Sequence, residues 1–174
     1  MKNLPNLITV IRILIIPLFI VLLLNHHTLY GLFVFILAGI SDALDGLIAR
    51  KWNLKTQLGA YLDPIADKLL LVSSFITLTL LDLIPMWLMV IVLGRDVFIG
   101  LTGLILLKVI DLRSYNVKPS LIGKATTWLQ IIIIALALLG KIEPLFSIIL
   151  WSTAFATVAS GLHYIYRESR IFRA

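Results

Sequence analysis

Cysteine is absent from this 174-residue chain, which excludes disulfides and thiolate metal sites. Charge is scarce: Asp, Glu, Lys and Arg make up 14% of the residues, roughly half the share usual in a soluble domain. Acids are the scarcest, nine against fifteen Lys and Arg. Long polar stretches are missing too, so neither a soluble domain nor a long linker is expected. What is present is apolar: 60% of the residues are hydrophobic and the mean hydropathy is +1.05. One domain of this size cannot hide that much apolar surface from water. A disordered chain, a secreted disulfide scaffold and an ordinary soluble enzyme are all excluded. The net charge of +6 would suggest nucleic acid in a soluble protein. In a membrane protein its distribution carries the meaning, and no nucleic-acid partner is expected.

A membrane-spanning helix needs about 20 mostly apolar residues. Six stretches qualify, roughly Leu4–Leu24, Leu29–Ala49, Ala60–Leu81, Ile84–Leu107, Leu121–Leu139 and Leu145–Tyr166. The expected fold is therefore all-α: an integral membrane protein with six transmembrane helices, residues 1–174 forming a single domain. Lys and Arg set the orientation. With both termini cytoplasmic, eleven basic residues lie inside: Lys2, Arg50, Lys51, Lys55, Lys108, Arg113, Lys118, Lys124, Arg167, Arg170 and Arg173. Outside, in the turns around His26, Asp82 and Glu143, there is one, Lys141. The inner charges also suit anionic lipid headgroups.

Four of the nine acids fall within one stretch at the end of the second span and the start of the third: Asp42, Asp45, Asp63 and Asp67. Each costs roughly 2.5–3.5 kcal/mol at the centre of a membrane helix, about 10 kcal/mol together. A position near the inner face lowers that cost without removing it. Asp42 and Asp45 are three apart and share a helix face; Asp63 and Asp67 are four apart and share one as well. The short intervening loop makes the two helices antiparallel neighbours, so the four carboxylates can converge at the inner membrane surface. Like charges that close repel, and two divalent cations balance them. An oxygen-only donor set without His or Cys suits Mg²⁺, Mn²⁺ or Ca²⁺ rather than zinc. Ala38, Gly39, Gly46 and Ala49 lie on the same side as Asp42, and read either as close helix packing or as a groove for a phosphorylated ligand. Arg50 is placed to reach a phosphate. Plain ion pairs of these acids with Arg50, Lys55 or Lys68 leave their regular spacing unexplained. An ion-coupled transporter needs acids deep in a path open to both sides, whereas these cluster at one face.

Read as a pattern, the stretch is Asp42-x-x-Asp45-Gly46-x-x-Ala49-Arg50, eight residues, then Gly59-x-x-x-Asp63-x-x-x-Asp67. It resembles the signature of the CDP-alcohol phosphotransferase family at every fixed position. Length and span number are similar as well. Asn3-Leu4-Pro5-Asn6 with Thr9, Arg12 and Pro17, and Leu62-Asp63-Pro64-Ile65-Ala66-Asp67-Lys68, resemble the branches that form phosphatidylglycerophosphate and cardiolipin. The resemblance implies transfer of the phosphatidyl group of CDP-diacylglycerol to an alcohol, with release of CMP, at the cytoplasmic face of the membrane. It implies two Mg²⁺ or Mn²⁺ ions on Asp42, Asp45, Asp63 and Asp67, with Asp67 as general base. It also implies a CDP site lined by Gly46, Ala49, Arg50 and Gly59, and a homodimer.

The acceptor is expected to be anionic. Arg95, Arg113, Lys118 and Lys124 are the candidates to bind it. Arg95 interrupts an apolar span beside Asp96, so a local ion pair is its competing reading. Lys124 lies in Ser120-x-x-Gly123-Lys124-x-x-Thr127, a stretch that resembles both branches. Glycerol 3-phosphate and phosphatidylglycerol compete as acceptor. Gly94-Arg95-Asp96 and Lys118-Pro119-Ser120 lean towards phosphatidylglycerol, while the N-terminus and the short chain fit glycerol 3-phosphate. His26, His27 and His163 are read as interfacial or packing residues.

Overall fold

A computed structural model describes the backbone of residues 4–51, 57–109 and 121–171, and side chains within 11–41, 65–102 and 122–166. Among the described residues the chain is all-helical, with six helices: α1 (Leu4–Leu24), α2 (Thr28–Lys51), α3 (Gln57–Leu80), α4 (Met86–Val109), α5 (Leu121–Leu138) and α6 (Leu145–Ile171). The apolar runs legible in the sequence are thus helices one for one. Within the described residues, one helical stretch, Leu145–Tyr166, is long and apolar enough to cross a membrane, and Ile11–Leu24, Thr28–Ser41 and Ile122–Leu138 are shorter apolar helices.

The turns after α1, α3 and α5 share one construction. His27 N–H donates to the Leu22 carbonyl at 2.9 Å and His26 N–H to Leu23 at 2.8 Å, with His26 at φ 61°. Leu83 and Asp82 repeat this onto Leu78 and Thr79, with Asp82 at φ 55°. Lys141 and Gly140 repeat it onto Leu136 and Ala137, with Gly140 at φ 97°. This paired closure satisfies the last helical carbonyls and stops the helix in two or three residues. Pro85 and Pro144 sit directly before the next helices, where a missing N–H costs nothing.

The chain divides into two compact units. The first holds α1, α2 and α3, together with residues 137–140. Here α1 packs against both α2 and α3. Phe19 and Phe35 meet with ring centroids 6.1 Å apart. Gly31 marks a close approach: a Cβ there would lie 2.5 Å from Leu23 Cδ2, so a larger residue would require the Leu23 side chain to shift. Phe19, Leu23, Phe35, Ala66, Phe75 and Leu78 are buried.

The second unit holds α4, residues 121–136 of α5, and α6. α4 packs on α6, and Trp87 stacks on Trp151 with centroids 5.2 Å apart. Hydroxyls link α5 to α6. Thr126 Oγ1 donates to its own-helix Ile122 carbonyl at 2.9 Å and lies 3.2 Å from the Ala156 carbonyl. Thr153 Oγ1 donates to Ile149 at 2.7 Å and approaches the Leu129 carbonyl at 3.4 Å. Large apolar side chains such as Leu14, Phe33, Leu80, Trp128 and Phe155 are exposed on the helices of both units, a pattern suited to hydrocarbon and costly in water.

Candidate active site

The first unit carries the aspartate pattern. Asp42 and Asp45 lie on α2, three residues apart, and Asp63 and Asp67 lie on α3, four apart. The helical backbone therefore keeps the acids of each pair on one face. The side chains of Asp42, Asp45, Ala49, Arg50 and Asp63, and the surroundings of Gly46 and Gly59, lie outside the described residues, as does the expected CDP cradle. Within the described residues no three His, Cys, Asp or Glu side chains gather; three of the four aspartates fall outside that set.

Asp67 is described, and its environment holds the main surprise. Arg12 Nη1 donates to Asp67 Oδ1 at 2.8 Å. The Arg12 side chain is 1% exposed and the Asp67 side chain 45%. The pairing follows from topology. α1 and α3 pack directly against one another. Arg12 is eight residues into α1 and Asp67 ten into α3, about 12 and 15 Å along their axes. Of the partners weighed for a plain ion pair, Arg50 and Lys55 have side chains outside the described residues, and Lys68 is exposed. Arg12 is the residue that sequence reasoning missed in this role. Its signal was there: a guanidinium inside an apolar run must find a partner or pay heavily for its burial.

The small residues beside Asp42 separate into two kinds. Ala38 is buried, as helix packing requires. Gly39 is exposed, and a Cβ there would meet nothing within 4 Å. Close packing within the described residues therefore does not account for Gly39.

In the second unit Arg95 and Asp96 form the local ion pair the sequence allowed, Nη1 to Oδ1 at 2.7 Å, with side chains 13% and 8% exposed. Arg95 is not confined to it: Nη2 donates to Ser160 Oγ on α6, also at 2.7 Å. Lys124 is exposed near the start of α5. Arg113 and Lys118 lie outside the described residues. His26, His27 and His163 are exposed; His27 packs edge-on against Tyr30.

Known proteins agree with the pattern. The family model for CDP-alcohol phosphatidyltransferase matches residues 2–159, which takes in all four aspartates, Arg95 and Lys124. A Bacillus subtilis protein named CDP-diacylglycerol–glycerol-3-phosphate 3-phosphatidyltransferase is 36% identical, covering 94% of each chain. A Rickettsia typhi protein of the same name is 36% identical over 94% of this chain and 96% of its own. A rat protein named cardiolipin synthase (CMP-forming) is also 36% identical, over 93% of this chain and 60% of its own length. The aspartate spacing and near full-length similarity lead to one conclusion: this chain belongs to the CDP-alcohol phosphatidyltransferase family.

Proposed function

We propose that this protein transfers the phosphatidyl group of CDP-diacylglycerol to glycerol 3-phosphate, forming phosphatidylglycerophosphate and CMP. The observation that carries this reading is the 36% identity to the Bacillus subtilis transferase across 94% of both chains. The acceptor hydroxyl attacks the phosphorus bearing the diacylglycerol. A new P–O bond forms, the bond from that phosphorus to the CMP phosphate oxygen breaks, and CMP leaves with the electron pair. The hydroxyl proton passes to the Asp67 carboxylate.

The residues support each part. Arg12 holds one oxygen of Asp67 while nearly half of that side chain stays exposed, so the carboxylate is oriented by a buried partner at a solvent-reached position. A positioned carboxylate within hydrogen-bond reach of the acceptor hydroxyl is a competent base. Asp42, Asp45, Asp63 and Asp67 form an oxygen-only donor set whose chemistry fits Mg²⁺ or Mn²⁺. When bound, two such ions neutralise charge on the attacked and leaving phosphates. Gly46, Ala49, Arg50 and Gly59 line the CDP moiety, and the open space beside Gly39 continues that groove. Arg95, Lys124, Arg113 and Lys118 bind the acceptor's phosphate. The protein crosses the membrane six times with both termini cytoplasmic, works at that face and acts as a homodimer. The basic inner segments and the exposed apolar helix faces support this placement.

A second reading keeps the chemistry and changes the acceptor to phosphatidylglycerol, giving cardiolipin. Gly94-Arg95-Asp96 and the similarity to the rat cardiolipin synthase favour it. One assay decides. Purified protein in detergent with CDP-diacylglycerol releases CMP when Mg²⁺ or Mn²⁺ and glycerol 3-phosphate are both supplied. Release with phosphatidylglycerol instead establishes the second reading, and no release with either alcohol ends both.

A further inference from the structure

Arg95 is held by two different helices. Its Nη1 donates to Asp96 on its own helix and its Nη2 to Ser160 on α6, each at 2.7 Å. Ser160 is 2% exposed, so water does not compete for this hydroxyl. The next residue on α6 is Gly161, whose Cβ position lies 3.8 Å from Arg95 Cγ. Consecutive α6 residues therefore seat both the stem and the tip of Arg95. A guanidinium has five N–H donors, and the bonds to Asp96 and Ser160 use two. Nε is buried without a partner among the described residues. A cation this well fixed, with donors to spare, is suited to a phosphate.

The depth of this arrangement follows from the α5–α6 contacts. Thr126 reaches the Ala156 carbonyl and Thr153 reaches the Leu129 carbonyl. Both fit one antiparallel register, which puts Ser160 opposite Ile122. Lys124 is two residues further along α5, about 3 Å along the axis. The Arg95 guanidinium and the exposed Lys124 thus belong to the same level of this unit.

We infer that Ser160 is a positioning residue for the acceptor: its hydroxyl orients the Arg95 guanidinium so that Arg95 and Lys124 present donors to a phosphate-bearing alcohol. This rests on the reading that Arg95 binds that acceptor. Ser160 does not touch the reacting atoms. Without its hydroxyl, Arg95 keeps its charge and its pair with Asp96 and loses its fixed direction, and a binding group that must be ordered by the ligand binds it more weakly.

The test is a double-mutant cycle in detergent micelles, run with glycerol 3-phosphate and with phosphatidylglycerol to separate a free phosphate from a lipid headgroup. Ser160→Ala is expected to raise KM for the acceptor that is turned over about 5–20-fold. The KM for CDP-diacylglycerol and the saturated kcat should stay within about twofold. Ser160→Thr, which retains the hydroxyl, should restore most of the loss, and Ser160→Ala should add nothing further in an Arg95→Gln background. An equal decline in every kinetic constant, or full additivity with Arg95→Gln, overturns the positioning role. If Arg95→Gln leaves the acceptor KM unchanged, the acceptor role of Arg95 fails and the inference falls with it. If Arg95→Gln raises that KM and Ser160→Ala does not, only the inference fails.

Discussion

Each unit of the molecule contains an Arg–Asp pair of almost the same length, and the two pairs are built in opposite ways. In the first unit Arg12 and Asp67 are 55 residues apart in sequence; the guanidinium is buried and the carboxylate nearly half exposed. In the second, Arg95 and Asp96 are neighbours, both largely buried, and the guanidinium also reaches α6. The interiors differ likewise. Among the described residues, the buried polar side chains of the first unit are Arg12, Ser74 and Thr77, and those of the second are Thr126, Gln130, Thr153, Thr157 and Ser160. A buried base presenting an exposed acid suits cation binding and proton transfer. A buried pair tied across helices suits a fixed anion contact. Under the proposed function, the same two residue types would serve opposite ligand charges through which partner the packing leaves accessible.

The largest effect should come from the exposed acid. Asp67→Asn keeps an oxygen acceptor for Arg12 but removes the counter-charge of that buried guanidinium, so the thermal midpoint should fall somewhat while the fold is kept. The loss of a proton acceptor should lower turnover roughly 10²–10⁴-fold, with CDP-diacylglycerol still bound. Steady-state CMP release and a binding measurement on the same preparation check this, and undiminished turnover would remove the base role. Stability should then rank the two pairs. Asp96→Ala leaves a mostly buried cation and should cost about 3–5 kcal/mol. Arg12→Met leaves a carboxylate that water already reaches, and should cost about 1–3 kcal/mol for the lost charge-assisted bond. Denaturant unfolding of both variants in the same micelle gives the order, and its reversal would break the contrast between the units.

The sequence makes the helices legible more readily than their pairings. Leu4–Leu24 and the start at Leu145 are read to the residue because apolar runs there end at turn signals. α2 runs on past Ala49 to Lys51, and α3 begins at Gln57 rather than near Ala60. Hydropathy reports apolar length, and helices continue into the polar face where hydropathy falls. The Asp pattern was legible because its spacing is local. So was Arg95–Asp96, a neighbouring pair. Arg12–Asp67 was not, since it depends on the axial register of α1 against α3, which packing decides. Ser160 was hidden for another reason. A hydroxyl in a helix rich in small residues usually bonds its own i−4 carbonyl, as Thr157 does to Thr153 at 2.6 Å, and nothing local marks the one that reaches another helix.

The smallest expected effect tests the polar interior of the second unit itself. Gln130 is fully buried in α5, and neither atom of its amide has a hydrogen-bond partner among the described residues. Burying an unmet amide costs about 1–3 kcal/mol by protein mutational data. By the α5–α6 register it lies eight residues along α5 from the Arg95–Ser160 level, about 12 Å along the axis, so it is remote from the inferred acceptor contact. Gln130→Leu keeps the volume and removes the amide. It should therefore raise the thermal midpoint in detergent by a stability gain of about 1 kcal/mol and leave both substrate KM values unchanged. A lower midpoint would mean that the amide is satisfied in the membrane-embedded protein. The hydroxyls and amide of this unit would then act as one hydrogen-bonded seam, and the contrast with the first unit would become one of satisfied polar packing against a single buried charge.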